Sequence, residues 1–420
     1  MNLKSVPFLV ALRPILCCAF SGIVFSWFSS SALSVAIDDG RSQQSALITS
    51  QLVPLPMSRP TSSSRSFASS SLSVDSREIA ALGSFNIIIN PGPVLSANAP
   101  AMAAFNRAAQ QWEAFIADPI VVTIDADLAP LDAGIIGGAD SVLLFDDYDV
   151  IRNAMVDDAA DGEADDGIVA FLPTSVEATA FAAPGFGFDG TLQVTKANAK
   201  ALNFDNRFGD LDFQFGASDG NIVFSNTLPF DFDNSDGVNA GTFDFESVAA
   251  HEIGHILGFI SDVDYVDFVL SQGQVALDVA PTSLDLFRFE SGNASSFFPP
   301  GTILNPTTAA EFTTTPRWMI PGYDAIFDQI DGSFGGGTEI RFATGSFAGD
   351  GRQASHWKDH LGLGIMDPTL AFGEISPIRQ NDMRSFDLIG YEVTIPEPTS
   401  AVLFLGLACC AFSLRGSRPA

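Results

Sequence analysis

Two histidines, His251 and His255, stand four residues apart in the run Asp244-Phe245-Glu246-Ser247-Val248-Ala249-Ala250-His251-Glu252-Ile253-Gly254-His255-Ile256-Leu257, which constrains this chain more than any other stretch of it. Asp244 is a good N-cap, so the pattern predicts a helix from Phe245 to Leu257. Side chains at this spacing leave the same helix face about one turn apart, and both imidazoles can close on a single ion. Glu252 projects beside them. A carboxylate in that position can take a proton from a water that such an ion activates.

The helix offers two ligands, whereas a catalytic zinc needs a third and keeps one position for water. Cysteine is closed as a source, because the four cysteines are paired as Cys17-Cys18 and Cys409-Cys410 in apolar stretches near the two ends, with none between. The same distribution removes a disulfide framework. The 37 phenylalanines, against 4 tyrosines and 4 tryptophans, point instead to a core filled by aromatic packing. The missing ligand must then be His, Asp or Glu. The chain has 4 histidines, and the two outside the helix stand in Ser355-His356-Trp357-Lys358-Asp359-His360, where a third ligand could be supplied. Nearer candidates also exist. Gly258 follows His255 at the position where metzincins use a glycine to turn the chain sharply and bring in a ligand shortly afterwards. Ser261 stands at the usual place of that ligand, and serine binds zinc poorly. The choice is left among Asp262, Asp264 and a residue far along the chain.

Ala250-His251-Glu252-Ile253-Gly254-His255-Ile256-Leu257-Gly258-Phe259, a long insertion, Ser355-His356-Trp357 and then Gly364-Ile365-Met366-Asp367-Pro368 together resemble a metzincin of leishmanolysin-like organisation. The resemblance runs from about residue 85 to 392 and is specific around these motifs. It implies His356 as the third zinc ligand, with His360 outside the metal's shell. It implies Met366 as the residue of a Met-containing turn that floors the site, and Glu252 as general base of a zinc metalloendopeptidase acting on polypeptides. It also implies a C-terminal helix beneath the active-site helix.

The expected fold class is α+β, a zincin/metzincin-like catalytic domain over residues 84–394 with a mixed twisted sheet, an active-site helix and a C-terminal helix. β-rich runs at 84–89, 120–124, 141–145 and 221–225 read as strands. Between the first two lies a helix opened by Asn98 and Pro100, with Met102, Phe105, Ala109, Trp112 and Ile116 along a core-facing stripe. Strand, helix and strand in that order suggest a right-handed crossover onto a mixed sheet. The run at 221–225 is expected at the sheet edge beside the cleft, pairing with an extended substrate. Asp231-Phe232-Asp233-Asn234-Ser235-Asp236-Gly237 resembles a calcium loop without the spacing or distal Glu of an EF-hand. Ca2+ is therefore a second candidate cofactor beside Zn2+, against the plainer reading of a surface turn. The acidic stretch 157–166 reads as a solvated loop. Beyond Met366, Ser376 is expected to cap a helix with Pro377 at its first position, ending at about Ile389 before Gly390.

The two ends read as addresses. Residues 1–36 have the basic, apolar and small-residue order of a signal peptide, with Lys4 and Arg13, an apolar run at 14–28, and Ser34-Val35-Ala36 at the cleavage site. Residues 37–83, dominated by Ser and with prolines at 54, 56 and 60, read as a flexible linker. Residues 395–420 resemble a PEP-CTERM sorting tail, with Pro396-Glu397-Pro398, an apolar run at 401–414, then Arg415 and Arg418. That resemblance implies a Gram-negative bacterium, transient membrane contact through a short transmembrane helix in the tail, processing by an exosortase-type enzyme, and a final place at the cell surface or in the extracellular matrix. A net charge of −30 argues against nucleic acid and anionic lipid as partners. The competing function is a matrix or adhesion protein with a catalytically idle zincin scaffold. The presence of Glu252 weighs against it.

Overall fold

A computed structural model describes residues 50–54, 84–159, 169, 172, 174–178, 185–288, 317–318 and 340–394. The expected signal peptide and sorting tail, most of the expected linker and residues 160–166 of the acidic stretch lie outside these described residues.

Strand β2 (Asn86–Pro91), helix α1 (Ala99–Glu113) and strand β3 (Val121–Ala129) form a parallel strand–helix–strand unit, with Asn86 opposite Val121 and Pro91 opposite Ala126. The helix starts where Asn98 Oδ1 accepts from the Ala101 N–H at 3.2 Å. Its stripe buries Phe105, Ala109 and Trp112, with Ile116 buried just beyond its end. Strand β7 (Gly220–Ser225) joins β3 in parallel, and β4 (Gly137–Ser141) runs antiparallel to β7 with Gly137 opposite Phe224. The architecture is α+β on a mixed sheet of six strands.

Three sequence-based expectations about this sheet are corrected. Residues 221–225 are not an edge, because β7 lies between β3 and β4 with Ile222 and Phe224 fully buried. Strand β4 escapes the sequence pattern because its Gly137-Gly138 start has low β-propensity. The run at 141–145 is two elements, β4 ending at Ser141 and β5 (Leu143–Asp147) opening a separate antiparallel ribbon with β6 (Thr191–Thr195). Val142 is the break, since its N–H donates to Asp219 O at 2.9 Å and its carbonyl accepts from the Lys196 N–H at 2.7 Å. The third correction falls in the expected linker, where Ser50–Pro54 forms strand β1. β1 pairs antiparallel with β4 and parallel with a short strand at Thr369–Leu370. Backbone pairing of this kind leaves little trace in a Ser-rich composition.

Helix α1 and the helix Phe245–Leu257 pack on one another, and the latter also lies against β4, β7 and β1. Phenylalanines fill the junction, as their abundance implies. Phe105 meets Phe224 edge-on at 5.2 Å, and Phe224 meets Phe245 at 4.6 Å. The C-terminal helix spans Gln380–Leu388, so it starts later than Ser376-Pro377. The reason is local: Asp382 Oδ2 accepts from the Arg379 N–H at 2.7 Å and fixes the first turn there. Ser376 is engaged elsewhere, its N–H donating to Ser247 Oγ at 2.8 Å. Gly390, at φ +99, ends the helix as expected. Among the described residues no helix is long and apolar enough to cross a membrane.

The end of α1 is latched to the last described segment. The Ala117 N–H donates to Glu392 O at 2.8 Å, and Asp118 Oδ2 accepts from the Glu392 N–H at 2.9 Å. Burial pushes the Asp118 carboxyl up to about 8, opposed by the Glu392 hydrogen bond and reinforced by the charge of Asp158. A carboxyl whose folded pKa is raised contributes stability that is full below its unfolded value and is lost as pH rises through about 8. Asp118→Asn keeps an acceptor for the Glu392 N–H and removes the ionisation. Relative to wild type, the variant is expected to gain at least about 1.4 kcal/mol, one pKa unit's worth, between pH 5 and pH 9. Urea unfolding at the two pH values checks this, and a parallel pH dependence of the two proteins would refute it.

Candidate metal centre

The histidine-bearing helix has the bounds the sequence predicts, Phe245–Leu257, and every residue in it is buried. At its start Asp244 Oδ2 accepts from the Ser247 N–H at 3.1 Å and from Ser247 Oγ at 2.5 Å. At its end Gly258 adopts φ +128, a conformation that favours glycine. This turn directs the Phe259 carbonyl to His255, whose Nδ1 lies 2.7 Å from it. Gly254, between the two histidines, is also required as a glycine. A Cβ there would overlap the Met366 sulfur and sit 3.4 Å from Trp112 Cζ2. Met366 thus packs directly against the helix backbone between the two imidazoles.

His356 reaches the pair from a different part of the chain. His251 Nε2 lies 3.2 Å from His356 Nε2 and 3.1 Å from His255 Nε2. Each Nδ1 faces a backbone carbonyl: Ile365 O at 2.7 Å for His251, Phe259 O at 2.7 Å for His255, and Gln353 O at 3.3 Å for His356. A carbonyl can only accept, so each Nδ1 carries the proton and each Nε2 presents a lone pair. Three lone pairs facing one another cannot hydrogen-bond among themselves. A cation between them satisfies all three. Nitrogens held 2.0–2.1 Å from a tetrahedral ion are about 3.3 Å apart, close to the spacing seen here.

Protonation does not relieve the three facing lone pairs. Burial pushes the His251 imidazole down to about 4. Burial above all pushes His255 and His356 well below their ordinary value, and a proton on one ring would oppose a proton on the next. The three rings are neutral at pH 7, the form that ligates. Among the described residues they are the one group of three or more His, Cys, Asp or Glu side chains gathered closely enough to share an ion. Comparisons with protein-family models, curated proteins and solved structures give no match.

The rival short-loop ligands face elsewhere. Asp262 accepts from Gln193 Nε2 at 2.9 Å and the Ala280 N–H at 3.1 Å, and Ser261 Oγ donates to Asp285 at 2.5 Å. Asp264 accepts from the Ala354 N–H at 2.5 Å and the Ser355 N–H at 3.1 Å. It holds the two residues immediately before His356 and so positions that imidazole. His360 is exposed, at φ +66, with Nε2 3.4 Å from Asp359. In the loop that resembles a calcium site, Asp231 accepts from the Asp233 N–H at 3.0 Å and the Asn239 N–H at 2.8 Å, as a surface turn does.

Glu252 is fully buried, and a Cβ on Gly137 of β4 would sit 2.8 Å from its Oε1. The carboxylate therefore packs against the bare backbone of β4. One further residue escapes the sequence reading. Asp382, on the C-terminal helix, accepts from Trp357 Nε1 at 2.8 Å, the Ile365 N–H at 2.8 Å and the Met366 N–H at 3.3 Å. A Cβ on Gly364 would overlap its carboxylate. The only signal for this role is an acid three residues into a helix that follows a Gly-Ile-Met motif, too little to single it out.

Two outcomes are expected. After dialysis, metal content should fall to background in His356→Ala and stay full in His360→Ala and Asp262→Ala, while Asp264→Ala should bind metal about 10- to 100-fold more weakly. Gly254→Ala should lose about 1–3 kcal/mol in urea unfolding, because the added methyl displaces Met366.

Proposed function

We propose that this chain is a secreted zinc-dependent endopeptidase with a metzincin-like catalytic domain, in which His251, His255 and His356 hold the zinc and Glu252 is the general base. The observation that carries the reading is the convergence of three neutral, buried Nε2 atoms beside a buried glutamate on the same helix as two of them. Zinc, when bound, supplies a Lewis acid that polarises a peptide carbonyl and lowers the pKa of a water to about 7.

The chain's own residues do the rest. Glu252 takes the proton as water adds to the carbonyl and returns it to the departing amine nitrogen. Its burial beside Gly137 keeps bulk water from competing for that proton. The carbonyls of Ile365, Phe259 and Gln353 hold the imidazole tautomers and raise the basicity of the ligating nitrogens. Met366 supports the helix from below, in the role of a Met-turn residue. The order of residues in 1–36 and 395–420 supports export, membrane contact through the tail, exosortase-type processing, and a place at the cell surface or in the extracellular matrix of a Gram-negative bacterium.

In zinc-loaded protein, Glu252→Gln should lower the hydrolysis of unstructured polypeptide by about 10²- to 10⁴-fold while leaving zinc stoichiometry unchanged. A quenched-peptide assay with metal analysis checks this. Activity within tenfold of wild type would remove the mechanism. A zinc-loaded wild type that cleaves nothing in a broad peptide library would favour the idle matrix or adhesion protein instead.

A further inference from the structure

His356 stands far along the chain from the helix whose histidines it joins, so contacts other than chain connectivity must fix its place. We infer that Arg288, backed by Asp285, is the positioning residue for this third ligand: it ties the loop before His356 to the loop after His255 and so sets the spacing of the three Nε2 atoms from outside the metal's ligands. The inference rests on the three histidines holding a divalent metal, as proposed above. It needs none of the peptidase chemistry.

The turn that carries both residues is anchored to the loop after His255. Thr282 and Asp285 open the 3-10 turn Leu284–Phe287 by a reciprocal pair of bonds, Asp285 Oδ2 accepting from the Thr282 N–H at 3.0 Å and Thr282 Oγ1 accepting from the Asp285 N–H at 3.1 Å. Thr282 Oγ1 in turn donates to Ile260 O at 2.9 Å. Asp285 also accepts from Ser261 Oγ at 2.5 Å and from the Asp262 N–H at 2.8 Å. Ser261, at the place where a nearer third ligand would be expected, thus gives its hydroxyl proton to this turn and helps to brace a distant ligand instead.

Arg288 leaves the far end of the turn, buried, with Nε 3.9 Å from Asp285 Oδ1. Its Nη1 donates to Ala354 O at 3.0 Å and its Nη2 to Ala343 O at 2.7 Å, while the guanidinium carbon lies 4.6 Å from the centre of the Phe342 ring. Both segments bear on His356. The Ala343 N–H donates to His356 O at 2.9 Å, and Ala354 precedes His356 by two residues. Ala343 and Ala354 are buried, and neither carbonyl has another donor among the described residues, so without Arg288 each must move to find one. Asp264 takes the N–H of the same Ala354, so the peptide groups on either side of that residue are gripped by opposite charges. A loop pinned on one side can rock about the pin, whereas one pinned on both holds steady the ring that follows. The Arg288 charge also opposes the burial that raises the Asp264 carboxyl. The guanidinium suits this place because its N–H groups lie in one rigid plane and meet two carbonyls at once, which an ammonium on a flexible stem does not.

The test titrates the full chain with Co2+, whose visible spectrum reports coordination geometry. Arg288→Met removes the fork, and Arg288→Lys keeps the charge and a single point of donation. Arg152→Met, which takes a guanidinium from Leu172 O, is the control. Cobalt affinity should fall about 10- to 100-fold in Arg288→Met and stay at the wild-type value in the control. The visible bands of a tetrahedral ion should weaken at least about twofold at saturation in Arg288→Met, as water replaces the third imidazole. Arg288→Lys should lose at least about threefold in affinity, and it carries the test alone if Arg288→Met does not fold. A second measurement separates positioning from general loosening: in the His356→Ala background, the weak cobalt affinity that remains should not change further on adding Arg288→Lys. Wild-type affinity and spectrum in folded Arg288 variants overturn the inference. An equal loss with and without His356 also overturns it. A wild type that binds no cobalt overturns the metal reading, and the inference with it.

Discussion

Three imidazoles are held with their lone pairs turned towards one point in a place that water does not reach, and the arrangement of the surrounding chain follows from that constraint. Left alone, such a cluster would protonate, rotate or separate. Burial opposes the first, and the carbonyls of Ile365, Phe259 and Gln353 oppose the second. Separation is opposed one step further out, by carboxylates that grip backbone amides rather than the rings. Asp264 holds the residues before His356, and Asp382 holds the residues after it together with the Ile365–Met366 turn. The acidity of the chain, uninformative about fold as a net charge, is thus put to structural use at particular places.

What was legible in the sequence was what local chemistry decides. The bounds of the histidine-bearing helix follow from Asp244 and Gly258, and both act as the pattern implies. The stripe of α1 follows from its 3.6-residue period. The existence of β7 was legible and its place in the sheet was not, because strand order depends on which neighbours arrive from elsewhere. β4 was hidden by its paired glycines, the feature that lets Glu252 approach it. β1 was hidden in a region whose composition reads as linker, since its pairing is made by main-chain groups that every residue possesses.

The third histidine shows the same division. Spacing alone left Asp262, Asp264 and a distant residue open, and only the likeness to a known motif layout favoured His356. In the structure Asp264 and His356 are neighbours in function, one bracing the loop that carries the other. A reading confined to ligand types treats them as rivals. The start of the C-terminal helix was misplaced for a related reason: Ser376 has the chemistry of a cap, yet its backbone is bound to Ser247 on the histidine-bearing helix, and Asp382 sets the first turn instead.

Asp382 also governs how the molecule can come apart. Its single carboxylate is shared by the last helix, the Trp357 indole and the Ile365–Met366 turn, so these segments cannot loosen independently. A C-terminal helix ordinarily frays by degrees from its free end. Here any opening that withdraws Asp382 also breaks its bonds to Trp357, beside His356, and to Ile365, whose carbonyl orients His251, which couples the helix to the site. The residence time of a metal in this centre would then be set by how often residues Gln380–Leu388 lift away, at a distance from the ion itself.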